Sequence, residues 1–461
     1  TGQGYRMRKL RYEVAPGFYS VAILYEPEKA AGKAPGVVNV NGHVGAEGKA
    51  VEYKQKRCIN QALRGIYALN LEWLGCGELS APENEHTFAA HMDLAGVTGV
   101  GLFYLAMRKG LDYLAAHPNV DAQRLGVTGL SGGGWQTITL SSLDERVLLG
   151  VPVAGYSPMI SRIERFMDIG DNEQQASDLF LYADFTHLTA MRAPRPTLLI
   201  YNAEDRCCFT GPMVKPQLYD PVAPFFTLYG KREAFAWHEN LDPASHNYQL
   251  DNRLAFYRFA ATAFNLGPWE KETPVDKDLK SFDELKVGLP PEQLTIRGLA
   301  RKLAAAVNPS GGDPEKQRAA LREIIRYKPV TLAHPWALAN TKSKGVETRS
   351  YRLEMTNGLS ATGAWVSAYG QPMGTVATLV INDHGRKQAA AAVADRVNRG
   401  ENVLALDLFF TGDAAPRRRR TANDDGRWLY GLLLAAAGDR PIGIEAAQLV
   451  AAARWFQSAT G

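Results

Sequence analysis

Apolar positions along the first 268 residues fall into short runs separated by stretches of helical spacing. Residues 5–25 read as two strands about the Pro16-Gly17 turn, and 36–40, 66–71, 124–128, 148–154 and 196–201 read as further short strands. Between them, 51–63 and 135–143 suit helices, and 97–116 carries Val100, Phe103, Tyr104, Met107, Leu111 and Leu114 on one helical face. A last strand region is expected at 225–229 with 235–237, and an amphipathic helix at 248–264. This alternation predicts a mostly parallel sheet with helices on both faces. One segment interrupts it: 157–192 is a long insertion containing Gly170-Asp-Asn-Glu-Gln174, placed where it can wall a substrate cleft.

The pattern changes after residue 268. Residues 269–346 are charged, are broken at Pro290-Pro291 and Pro309-Ser-Gly-Gly312, and hold two expected helices at 296–307 and 314–326. They read as a helical connector. From 347 the order of elements begins again. The run 376–381 leads into Asn382-Asp-His-Gly385 as 36–40 leads into Asn41-Gly42. A helix at 387–398 follows, then a strand ending at Asp407 and the pair Gly412-Asp413, which parallel the strand ending at Glu72 and the pair Gly77-Glu78. Residues 442–457 match 97–116, and no second Gly-x-Ser-x-Gly follows. The expected organisation is an α/β domain at 1–268, a connector at 269–346 and a second, truncated or degenerate copy at 347–461. Half a sheet leaves a strand edge open, so the 347–461 region is expected to pair with another chain, with the first domain or with residues outside this sequence.

Composition narrows the classes of function. The 461 residues are 46% apolar and 22% charged, ordinary for a globular protein. With 52 basic and 48 acidic residues the net charge is only +4, which argues against nucleic acid or an anionic membrane as partner. The run Arg417-Arg418-Arg419-Arg420 reads as a solvated loop. No apolar window approaches the ~20 residues of a membrane span. Cys58, Cys76, Cys207 and Cys208 make no disulfide framework and read as buried small hydrophobes. Without a Cys/His cluster of ligand spacing, no metal and no cofactor are expected. The first residue is Thr1, with no basic and apolar leader after it, so an export signal is expected to be absent or already removed. The compartment stays open, with the periplasm or exterior preferred.

Candidate chemistry centres on Gly129-Leu-Ser131-Gly-Gly133, which follows a strand and precedes a helix. That is the setting in which Gly-x-Ser-x-Gly becomes a nucleophile elbow, with Ser131 at the tip of a strained turn. A serine needs a base to take its proton and an acid to orient the base. Asp205, in the loop after the 196–201 strand, is preferred as the acid over Glu204. His246, in the loop before the 248–264 helix, is preferred as the base over His238 at a strand end. His86, His91 and His187 lack such a setting and read as cleft-lining or surface residues. Acyl transfer also needs an oxyanion hole, for which the backbone N–H groups of Gly132 and His43 are the candidates.

Asn41-Gly-His-Val-Gly45, Glu72-Trp-Leu-Gly-Cys-Gly77, the elbow, Ala193-Pro-Arg-Pro-Thr-Leu-Leu199 and Ser245-His-Asn-Tyr248 together carry a family resemblance. Residues 1–268 resemble the α/β-hydrolase superfamily, and more narrowly its bacterial dienelactone-hydrolase-like and acetyl-xylan-esterase-like members. Asn41 stands where that group usually has His, and the elbow reads Ser-Gly-Gly-Gly rather than Ser-Gln-Gly-Gly. The resemblance implies an α/β-hydrolase fold and a serine esterase acting on carboxylic esters of small molecules or carbohydrate. Two other readings stay open: a serine peptidase of the prolyl-oligopeptidase type, and a catalytically silent carbohydrate-binding scaffold.

Overall fold

Eight strands form one sheet in the first part of the chain, in the order β1-β2-β4-β3-β5-β6-β7-β8. They are β1 (Tyr5–Ala15), β2 (Phe18–Pro27), β3 (Ala34–Val40), β4 (Tyr67–Leu71), β5 (Val120–Leu130), β6 (Val147–Val153), β7 (Thr197–Asn202) and β8 (Phe235–Asn240). The computed structural model describes residues 2–29, 32–307, 312–372, 374–416 and 426–461. The four arginines at 417–420 lie outside these. Two units are distinguished, Thr1–Asn308 and Pro309–Gly461.

In the first unit β1 and β2 pair antiparallel, β2 meets β4 antiparallel, and from β4 onward all neighbours are parallel. Strands β3 and β4 are buried at every position. Strands buried from end to end in this way require cover on both faces. Alternate residues of β2 show how it is supplied. Ile23 and Tyr25 pack with Cys58, Ile59 and Ala62 of α1 (Glu52–Leu63). Ala22 and Leu24 belong to the main core, with Phe103, Met107, Leu111 and Leu114 of α2 (Gly99–Ala116). Helix α3 (Gly132–Leu143) follows β5 directly, and α4 (Gly211–Leu228) and α5 (Leu250–Ala263) follow β7 and β8.

Two expectations are corrected here. Residues 225–229 are not a strand, because 225–228 form the last turn of α4, which contains Pro216, Pro221 and Pro224. Val214, Leu218, Val222 and Phe226 recur every fourth residue and are all buried, while the three prolines face outward. Burial of that stripe outweighs the cost of helical proline, ~3 kcal/mol for each in a helix interior. The connector also does not stand apart. Val275 and Leu285 complete the cluster of Tyr5, Ile23 and Cys58, and Ile296 and Leu299 of α6 (Ile296–Ala306) enter the main core. Farther on, β9 (Leu332–Ser343) pairs with β10 (Val346–Met355), so the second unit begins well before residue 347.

Within the second unit, α7 (Pro314–Ile324) precedes a sheet of order β12-β13-β11-β10-β9, with β11 (Ser360–Ala368), β12 (Ala377–Val380) and β13 (Asn402–Asp407). The β10–β11 and β11–β13 pairs are antiparallel and β12–β13 is parallel. That reproduces β1-β2-β4-β3. Helices α8 (Ala390–Asn398) and α10 (Pro441–Thr460) take the chain positions of α1 and α2, with α9 (Arg427–Ala436) before α10. The repeat extends to side chains. Buried Glu72, at the end of β4, accepts from the backbone N–H groups of Lys49 (2.9 Å) and Glu78 (3.2 Å) and from Lys49 Nζ (3.0 Å). Asp407, at the end of β13, accepts from the N–H groups of Arg386 (2.5 Å) and Asp413 (2.9 Å) and from the Arg386 guanidinium. In each copy a carboxylate ties together the loops after two neighbouring strands. Among the described residues the copies differ at both edges: β1 ends its sheet where β10 pairs onward with β9, and β3 pairs onward with β5 where β12 ends its sheet, flanked by exposed Val376 and Ile381.

Lys49 and Glu72 are both fully buried. Lys49 Nζ also pairs with Glu78, so Lys49 is the cation shared by two buried carboxylates; removing it strands their charge, and Lys49→Ala should destabilise the first unit by about 3–5 kcal/mol. Urea denaturation followed by tryptophan fluorescence checks this, and an unchanged midpoint would contradict it.

Candidate active site

Ser131 sits at the end of β5 with φ 62° and ψ −126°, a left-handed conformation costing about 1–3 kcal/mol for a non-glycine residue. Its N–H donates to Val153 O (2.9 Å), and its carbonyl accepts from Gly134 (2.7 Å) and Trp135 (3.1 Å). The turn is thereby fastened to β6 on one side and to α3 on the other. On a third side the loop after β3 closes in. A Cβ added to Gly42 would lie 2.7 Å from Ser131 Cβ and 3.2 Å from Gly132 N, so no side chain fits there. This approach brings the backbone of residues 42–43 beside that of Gly132. Gln136 of α3 holds the loop by donating to Asn41 O (2.8 Å).

Asp205 follows β7 and is buried, with both oxygens engaged. Oδ1 accepts from the N–H groups of Cys207 (3.0 Å) and Cys208 (3.2 Å), and Oδ2 from Asn202 Nδ2 (3.1 Å) and His246 Nδ1 (2.7 Å). The remaining ring nitrogen of His246 is Nε2. Burial works against protonation of His246, but the bond to Asp205 prevails and raises its pKa above the ordinary 6.5. Glu204 is exposed, and His238 turns instead to Asp251 (2.8 Å). Ser131, His43, Asp205 and His246 all follow the carboxyl ends of parallel strands, the edge of an α/β sheet where ligands bind. An open pocket beside His246 is lined by Glu204, Arg206, Cys207, Pro243 and Ser245.

Neighbours of the acid and base hold their two loops together. Asn247 Nδ2 donates to Asn240 Oδ1 (2.9 Å) and Asn202 Oδ1 (3.2 Å), and Asn252 Nδ2 also donates to Asn202 Oδ1 (2.9 Å). Tyr248 OH shares a 2.7 Å hydrogen bond with Thr128 on the elbow strand, under the guanidinium of Arg57. From the 157–192 insertion, Arg165 donates to Asp205 O (3.2 Å), and Asp168 accepts from Phe209 N (2.9 Å). The cysteine expectation needs one correction: Cys207 is exposed, and the hydrogen bond from Cys208 lowers its thiol to about 6.

The same insertion brings Asp171 and Glu173 to the elbow. Asp171 Oδ2 is 2.8 Å from both His43 Nε2 and His86 Nδ1. Glu173 Oε2 accepts from Trp73 Nε1 (2.7 Å), and its Oε1 would be 2.1 Å from a Cβ on Gly132. His86 is buried in this cluster, while His91 and His187 are exposed. Burial opposes charge on His86, yet Asp171 raises its pKa to about 9. Burial, reinforced by Asp171, also raises the pKa of Glu173. Nothing local in the sequence signals this grouping, since its members lie at 43, 86, 171 and 173.

Residues 5–193 match the model of the acetyl xylan esterase (AXE1) family, a span that includes Ser131 but not Asp205 or His246. No curated protein matches the chain in sequence. In structure, the methylesterase BT1017 aligns with a TM-score of 0.50 at 24% identity, over 69% of this chain and 67% of its own. A glucuronoyl esterase from Solibacter usitatus aligns at 0.43 and 15% identity, over 57% and 82% of the two chains. An acylaminoacyl peptidase from Pyrococcus horikoshii aligns at 0.42 and 20%, over 60% and 44%.

The Asp205 bond should govern the titration of His246. NMR titration of the imidazole is expected to give a pKa above 6.5, falling back in Asp205→Asn. A value unaffected by that substitution would refute the cause assigned.

Proposed function

We propose that the first unit, whose residues 5–193 match the acetyl xylan esterase family model, hydrolyses carboxylic esters of carbohydrate through Ser131, His246 and Asp205. The observation that carries this reading is the 2.7 Å bond from His246 to buried Asp205, at the sheet edge that also bears the strained Ser131. Asp205 accepts the Nδ1 proton and fixes the tautomer, so that Nε2 is the basic nitrogen. Ser131 Oγ attacks the ester carbonyl while His246 Nε2 takes its proton. The tetrahedral oxyanion is held by the N–H groups of Gly132 and His43. Collapse expels the alcohol, which leaves with the proton from His246, and the acyl group remains on Ser131. Water then attacks with His246 again as base, and the carboxylic acid is released with Ser131 restored.

Loss of the nucleophile should be severe. Ser131→Ala is expected to lower hydrolysis of acetylated xylan and of a short aryl ester by about 10⁴-fold or more. Full retained activity would refute the assignment. Only neutral His246 can accept the proton, so kcat/KM must rise with pH as the imidazole titrates. Since its pKa is raised, the midpoint of this acid limb should lie above pH 6.5. A rate profile flat through that region would exclude His246 as the base.

A further inference from the structure

We infer that His43, His86, Asp171 and Glu173 form a binding site for a divalent ion of the zinc class, beside the elbow and distinct from the Asp205–His246 pair. His43 Nε2 and His86 Nδ1 stand 3.2 Å apart, each 2.8 Å from Asp171 Oδ2, and Glu173 Oε2 is 3.9 Å from His86 Nδ1. Tetrahedral ligands at roughly 2.0–2.2 Å from zinc are roughly 3.3–3.6 Å from one another, and the observed separations fall on both sides of that spacing. Two nitrogens and two carboxylates are also a donor set that suits zinc.

Two observations favour an ion over a self-contained hydrogen-bonded cluster. Two imidazole nitrogens face each other across one shared carboxylate oxygen, where a single cation can serve all three atoms. Glu173 is fully buried, and its Oε1 has no hydrogen-bond partner, a costly state for a carboxylate. The groups behind the four donors orient them as ligands need to be oriented. His86 Nε2 donates to Leu74 O (2.7 Å), which directs Nδ1 toward Asp171, where an ion would take the place of the proton the two share. Trp73 Nε1 fixes Glu173, and the Glu173 N–H donates to Asp171 Oδ1 (2.8 Å). The sequence led to the expectation of no metal, because these donors share no short spacing; the insertion assembles them. His43 is about half exposed (52%), which leaves a side open for the ion to enter.

The site does not depend on the role given to Ser131, so it is tested by binding. Full-length protein carrying Cys207→Ser and Cys208→Ser, which removes competing thiols, is stripped with chelator and titrated with zinc by calorimetry. One ion per chain is expected, bound at least roughly tenfold more weakly after Asp171→Asn or His86→Ala and unchanged after Ser131→Ala. X-ray absorption at the zinc edge of the loaded parent reads the ligands directly, whether or not a variant folds. Two imidazole nitrogens with oxygen neighbours support the site. Absence of bound zinc, equal affinity in the variants, or a spectrum without the two imidazoles overturns it.

Discussion

The closeness of three backbone segments around Ser131 is the constraint on which the first unit depends. The β3 loop, the elbow and the end of β6 meet at distances that exclude side chains: a Cβ on Gly42 would strike Ser131 Cβ, and one on Gly155 would lie 2.2 Å from Ser131 O. Such contact is possible only where adjacent parallel strands end together. The strand order, the fully buried β3 and the glycines of the turn are thus parts of one arrangement. The strain at Ser131 is offset by hydrogen bonds to β6 and α3, which leave Oγ at the tip of the turn.

A second layer of organisation surrounds the carboxylate of Asp205. Its four hydrogen bonds satisfy both oxygens and fix the buried group where it can orient His246. The asparagines at 202, 240, 247 and 252 bind the acid loop to the base loop with neutral groups, which add no competing charge. The insertion completes the cleft from the other side. Arg165 and Asp168 brace the acid loop while Asp171 and Glu173 reach the elbow, so one segment meets both halves of the site.

Local motifs were legible in the sequence where one loop holds the whole signal. The elbow, the β3 loop, and the loops of Asp205 and His246 follow strands recognisable from short apolar runs. The choice between His246 and His238 follows the same logic, since a loop ahead of a helix offers reach that a strand end does not. Features set by tertiary contact were not legible. Three prolines masked α4, because its buried stripe becomes visible only against the sheet. Residues 269–307 looked like linker, although Val275 and Leu285 bury against β2 and α1. The grouping of His43, His86, Asp171 and Glu173 depends on an insertion whose path no periodicity encodes.

The internal repeat was visible as an order of elements, and the equivalent carboxylates Glu72 and Asp407 give it a side-chain basis. Among the described residues the second copy comprises the counterparts of β1 to β4 and of α1 and α2, and the proposed chemistry rests on Ser131. Reaction with a fluorophosphonate, with the modified peptide identified by mass spectrometry, tests this most directly. A single adduct on Ser131, lost in His246→Ala, is the predicted result. An unmodified chain, or an adduct on another serine, would contradict it.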